Sequence, residues 1–343
     1  MTRSALTLSL LLGFLCCMLT PAAWSADRVR LMVAGVERST NAQVVRDIAK
    51  HVAKPADIEF DVRHLPGSAD ALLRLREGSG LQFAVLQADV AEAFLGAAAR
   101  GNIEAGQLLA PLRVIAPLHE EEIYFIVRND SPLNFVHEIE TARINVGPLR
   151  GDTALTVATL YRLMFNAALP EQQTSFHSHQ NALVKLTEQT VDVVAVVAPQ
   201  PARLLADMTS EARRFVKLLK FDPKNPGAGG TLKVYSATTV PAANYPNLLD
   251  EDLSALAVRV YLVSHGRNDA VQARFASAWC QNLPRLRAEG PPGLHGLELA
   301  PQPLASGWTY SRPFEREISA CVGGKRAPAE PCSQEERVLG LCG

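Results

Sequence analysis

Residues 81–86 (LQFAVL) and 191–198 (VDVVAVVA) are largely apolar runs, too short to be stable helices. Such runs belong to strands buried on both faces, which arise where helices cover both sides of a largely parallel sheet. A similar succession precedes each run. Residues 28–33 (RVRLMV) read as a first strand. A polar turn with Gly35, Arg38, Ser39, Thr40 and Asn41 then leads into a helix over 42–52 that Ser39, Thr40 or Asn41 can cap. A strand over 58–65 and a helix over 68–76 complete this succession. Beyond the 81–86 run lie Gln87 and Asp89, the latter placed to cap an alanine-rich helix over 90–99.

The second succession opens at 144–165 (INVGPLRGDTALTVATLYRLMF). A short strand enters the loop Gly147-Pro148-Leu149-Arg150-Gly151, and Asp152 or Thr153 can cap the helix that follows. The first turn of a helix presents unpaired N–H groups and partial positive charge, so with Arg150 beside it this loop is a candidate seat for a carboxylate or other anion. A strand over 174–178, a helix over 182–188 and the 191–198 strand come next, the last ending in Ala198-Pro199-Gln200-Pro201. The expectation is an α/β chain of two lobes, each with polar loops beyond the carboxyl ends of its strands, where open sheets bind ligands.

Between the successions, strands over 112–117 and 123–127 flank Glu120-Glu121-Glu122 with no helix between them, which marks the crossing from one lobe to the other. The acidic run reads as a solvated face. A strand over 215–221, a flexible Pro/Gly loop over 222–230 and a strand over 233–240 follow. Residues 253–264 (LSALAVRVYLVS) place Leu253, Leu256, Ala257 and Val260 at helical spacing behind a possible cap at Asp252, so a helix returning to the first lobe is expected. A second helix is expected over 269–283. The resulting division is an export signal at 1–26, a first lobe from 27–119 with 253–299, a second lobe from 120–252, and a loop-rich, disulfide-bearing tail at 300–343.

The first 26 residues carry a basic start at Arg3, an apolar run from 5 to 19 and small residues near the end. This is the pattern of a secretory signal cleaved after Ser25 or Ala26, and the run is shorter than a membrane span requires. Four cysteines remain after such processing: Cys280, Cys321, Cys332 and Cys342. An even number in an exported chain favours disulfides, with three pairings open; joining Cys321 to Cys332 would close a short loop worth about 3 kcal/mol. A net charge of −1 across 343 residues excludes the broad basic field of a nucleic-acid binder. No hydrolase motif or phosphate loop is present. His177-x-His179 is the sharpest metal candidate, but no third ligand of suitable type lies nearby, so neither catalysis nor a metal or cofactor is expected.

Several segments together resemble the TAXI family of periplasmic receptors, which serve one class of TRAP transporters. They are Leu81-Gln-Phe-Ala-Val-Leu-Gln-Ala-Asp-Val90, the strand pair over 112–128, Gly147-Pro-Leu-Arg-Gly-Asp-Thr153, Val196-Val-Ala-Pro-Gln-Pro201 and Val240-Pro-Ala-Ala-Asn-Tyr-Pro246. The resemblance implies a two-lobed periplasmic-binding fold of the second type. Such a protein closes on a small polar or carboxylate-bearing solute, an amino acid or carboxylate, and hands it to the membrane subunits of a TRAP-type transporter. A periplasmic sensor or adaptor for a signalling protein is the alternative. The ligand residues it implies are Gly35, Arg38, Ser39 and Thr40 in the first loop, Gln87 and Asp89 in the second, Gly147, Arg150, Gly151, Asp152 and Thr153 in the third, and Ala198 and Gln200 in the fourth. Asp152 departs from the family's small residue, and its carboxylate disfavours an anion unless it engages Arg150 or Arg38.

Overall fold

The two apolar runs occupy corresponding places in one mixed sheet. The structure, a computed structural model, describes residues 26–299 and 302–322. Residues 1–25 of the expected export signal, Cys332 and Cys342 lie outside the described residues. Strands β1 (Asp27–Ala34), β2 (Ile58–Leu65) and β3 (Gln82–Gln87) alternate with helices α1 (Thr40–Ile48), α2 (Ser68–Leu75) and α3 (Asp89–Ala99), and α4 (Ile103–Leu109) follows. Next come β4 (Arg113–Arg128), β5 (Ile144–Asn145), α5 (Asp152–Phe165), β6 (Thr174–Ser175), α6 (His179–Thr187) and β7 (Val193–Ala198). The chain continues through α7 (Arg203–Ala206), β8 (Val216–Leu218), α8 (Ala228–Thr231), β9 (Ser236–Val240), β10 (Leu253–His265), α9 (Asp269–Glu289) and α10 (Arg312–Val322).

The strand order is β2-β1-β3-β10-β4-β7-β5-β6, with β8 on β4 and β9 on β10. Within it, β2, β1 and β3 are parallel and meet antiparallel β10, while β6, β5 and β7 are parallel and meet antiparallel β4. The same four-strand plan therefore occurs twice, and β4 and β10 pair with each other where the halves join. This is the two-lobed periplasmic-binding architecture, and the apolar cores divide between the lobes. Ile115, Ala116 and Leu118 of β4 and Val260 and Leu262 of β10 pack with α1 and α9 in the first lobe. Ile123, Phe125 and Val127 of β4 and Leu256 and Val258 of β10 pack with α5 in the second. Glu120, Glu121, Glu122 and Arg259 fall between these two cores, and Leu155 of α5 carries apolar contact across to the first lobe's second core around Leu72, Leu86 and Val90.

Four local expectations need correction. The strands expected over 112–117 and 123–127 are one 16-residue strand, β4, and its acidic run is no solvated face: Glu121 and Glu122 are 8% and 6% exposed. Residues 253–265 form strand β10 and not a helix. The helical spacing was real, but Val258, Val260, Tyr261 and Val263 also suit a strand, and pairing with β3, β4 and β9 decides it. The loop over 222–230 tightens into α8. The tail is not all loop, because α10 buries Phe314 and Ile318 against the first lobe's core, and Cys321 on it is bonded to Cys280 of α9 rather than to Cys332. Among the described residues no helix is long and apolar enough to cross a membrane.

Candidate functional site

Two of the polar loops meet at the junction between the lobes. Ser39 caps α1 as expected, its Oγ accepting from Ala42 N at 3.2 Å. Thr40 opens that helix, Gly35 N donates to Leu65 O at 2.8 Å, and Arg38 is exposed at the rim. The second and third loops are the ones brought into contact. Asp89 does not cap α3, whose N-cap is Ala88 without a side-chain bond. Its buried carboxyl turns to the other lobe, where Oδ2 accepts from Thr156 Oγ1 at 2.7 Å and from Tyr235 OH at 3.0 Å. Gln87 accepts from Thr156 Oγ1 at 3.0 Å through Oε1 and donates to Glu121 Oε2 at 2.5 Å through Nε2.

The third loop closes against the start of α2. Gly151 is the N-cap of α5 with no side-chain bond, so neither Asp152 nor Thr153 caps that helix; Thr153 is buried beside Gly147. Asp152 Oδ1 instead accepts from Ser68 N at 2.6 Å, which puts a carboxylate on the electropositive first turn of α2. Arg150 is one of the residues outside glycine with positive φ, at +68°, and its guanidinium grips Asp70, with Nε at 3.1 Å from Oδ2 and Nη2 on Oδ1. The expected anion seat is thus engaged within the chain: Arg150 by Asp70, and Asp152 by Ser68 rather than by Arg150 or Arg38. A further cross-lobe pair joins Arg162 to Glu92 at 2.8 Å.

Burial raises the acids at this junction. Asp89 is pushed up to about 6 by desolvation and by Glu121, against the opposing bonds from Thr156 and Tyr235. Asp152, half-buried between Ser68, Glu121 and Asp89, is pushed up to about 7, again chiefly by desolvation.

On the opposite side of β4 and β10 the lobes stay apart and enclose a cavity of about 360 Å³. Its walls are Pro117 to Glu120 and Glu122 of β4, Pro199 and Gln200 beyond β7, Arg259 of β10, and the segment carrying Gly293, Leu297, Glu298 and Gln302. Gln200 is therefore at the cavity, and Ala198 pairs in register with Glu122. Gln200 Nε2 donates to Glu122 Oε1 at 2.8 Å and to Thr239 O at 3.1 Å, and its Oε1 accepts from Asn244 Nδ2 at 3.0 Å. Burial pushes Glu122 up to about 7. His177 and His179 do not share a strand face: one is exposed before α6, the other opens that helix, and no cluster of three metal-ligating side chains exists among the described residues.

Sequence reasoning did not single out Ser68, Asp70, Glu122, Thr156, Tyr235 or Arg259. The signal for Glu122 was available, since no turn-forming glycine, asparagine or aspartate separates Pro117 from Ile123, and a run of that kind extends as one strand. The others act across the junction, where local pattern carries no information.

A family model described as the NMT1-like family matches residues 41–274. The match is to this family and does not specify the TAXI family that the loop motifs resemble. No curated protein matches. Among solved structures, a TctC solute binding protein from Polaromonas aligns at 14% identity over 88% of this chain and 98% of that one, with a TM-score of 0.47. The periplasmic binding protein BugD aligns at 12% identity over 87% and 95%, with a TM-score of 0.47.

Proposed function

We propose that this chain, which belongs to the NMT1-like family, is a periplasmic solute receptor that closes two lobes on a small polar molecule and has no catalysis of its own. The observation that carries this reading is the cavity of about 360 Å³ walled by both lobes and by the two strands that connect them. Its size suits a small metabolite. Gly35 to Thr40, Gln87, Asp89, the Gly147 to Thr153 loop, Ala198 and Gln200 act in this scheme as the moving and gripping surfaces. The Asp89 and Asp152 contacts latch the lobes, and Gln200 lines the cavity. Export by a cleavable signal and delivery to membrane subunits of a TRAP-type transporter complete the proposal, the latter supported by the loop motifs.

Native mass spectrometry on protein purified from the periplasm of its own source tests it. The expected spectrum shows the mature chain, begun at Ala26 or Asp27, plus a small non-covalent adduct that denaturation releases. A chain that carries no small molecule and gains none from a periplasmic extract overturns the reading.

A further inference from the structure

We infer that the solute held in this cavity carries a basic nitrogen, a protonated amine or amidinium, and that Glu122 receives it; this rests on the receptor reading above and narrows it to a chemical class. The cavity wall brings three carboxylates, Glu120, Glu122 and Glu298, against a single guanidinium, Arg259. That guanidinium is already engaged: Nη2 lies 2.9 Å from Glu120 Oε1, and Nη1 donates to Pro303 O at 3.3 Å. Pro117 and Pro199 have no N–H to offer a ligand. The side-chain donors left to an entering anion are the His119 ring and the Gln302 amide, set among three carboxylates.

Glu122 is the acceptor left over. It is 6% exposed, and Gln200 fixes one of its oxygens while being held in turn by Thr239 and Asn244. The other oxygen, Oε2, is buried without a hydrogen-bond partner. The His119 ring, also in the cavity wall and 5% exposed, has no hydrogen bond at either nitrogen and lies 3.6 Å from Glu121 Oε1. A carboxylate oxygen taken from water and given no donor is unfavourable, and a charged N–H donor both completes its bonding and balances its charge.

The sign of the pH dependence separates this ligand class from its opposite. Glu122 faces Glu120 and Tyr124 on its own strand, Arg259 on β10, Gln200 beyond β7, Tyr245, and Glu298 on the segment after α9. Burial places its protonation at about 7. A cation binds the ionised form, so the Glu122 contribution to its affinity rises with pH, by about tenfold from pH 6 to pH 8, as the ionised fraction does, on top of whatever lobe closure contributes alike for every ligand. A ligand that presents an acceptor needs the protonated form and weakens over the same interval.

Calorimetric titration of the mature protein, dialysed free of bound solute, tests the inference with 1,5-diaminopentane and glutarate, which share a five-carbon chain and carry opposite charge. The diamine is expected to bind in preference to glutarate at pH 8, and that preference is expected to be at least about tenfold larger at pH 8 than at pH 6. Glu122→Gln is expected to weaken diamine binding by about tenfold or more, the loss of one charge-assisted hydrogen bond, and to remove the pH dependence of the preference. Glu298→Gln at the exposed rim should cost only a few-fold. The diamine-to-glutarate affinity ratio of the unaltered protein, in which closure common to both ligands cancels, decides the sign by its change with pH even if Glu122→Gln folds poorly. Absence of diamine binding at pH 8, tighter binding of glutarate there, or indifference to Glu122→Gln overturns the inference. A co-purified solute without a basic nitrogen overturns the ligand class and leaves the receptor reading standing.

Discussion

Asp152 is one of two residues whose position suits a cap of its own helix, yet its carboxyl reaches Ser68 N across the junction at 2.6 Å and serves the N-terminus of α2 instead. With Asp89 held by Thr156 and Tyr235, the closed junction places two acids near each other and near Glu121. In a parted junction both return toward the ordinary value of 3.8. The closed form therefore binds protons more tightly than the open one. Its proton-linked advantage is complete below about 3.8 and is lost as pH rises through about 6 for Asp89 and about 7 for Asp152. Small-angle scattering on the ligand-free protein is expected to show a compact particle at pH 5 that expands by pH 8. Asp152→Asn keeps an oxygen for Ser68 N and removes the charge, so that variant should stay more compact at pH 8. A radius of gyration that ignores both pH and the substitution would sink this account.

At the scale of elements, α9 and α10 show how the C-terminal segment joins the first lobe. Phe275 of α9 meets Phe83 of β3 with ring centroids 5.3 Å apart, and Phe314 of α10 meets Trp279 at 6.3 Å. The segment leading into α10 also donates from Trp308 Nε1 to Ala88 O at 2.8 Å, next to the loop that carries Asp89. The Cys280–Cys321 bond closes a span of 41 residues, which in the chain-entropy model is worth about 4 kcal/mol. Cys321→Ser should lower the unfolding free energy in urea by about that amount. Cys280→Ser should cost the same, and the double substitution no more. Clearly different losses from the two single variants would contradict the pairing. Its partner on α9 could not be chosen from spacing, because three pairings of four cysteines satisfy the sequence equally.

For the whole molecule, closure depends on how near two backbones approach. A Cβ on Gly67 would lie 2.5 Å from Arg150 O and 3.0 Å from Asp152 Oδ1, both on the opposite lobe. Gly67→Ala therefore leaves each lobe's own packing untouched and blocks the closed junction. The expected result is an expanded particle even at pH 5 with an unchanged circular dichroism spectrum; a compact one would show that the lobes close by another path. Strands β1, β2, β3 and β7 and helices α2 and α3 were readable because burial imposes its own period on each, whatever the other lobe does. That one of Ser39, Thr40 or Asn41 caps α1 was readable because a cap acts within three residues, and the structure selects Ser39.

The sequence by itself determined an α/β chain with two successions of strands and helices and polar loops beyond the ends of buried strands. Only the tertiary structure decided that residues 253–265 form a strand, because helical and strand patterns both fit them until pairing with β3, β4 and β9 chose one. It also decided the fate of the acidic run, which is buried where two cores end and a continuous strand passes between them. The partners of Arg150 and Asp152 came last, since they lie 80 and 84 residues away, and only the meeting of two lobes gives such groups a reason to pair.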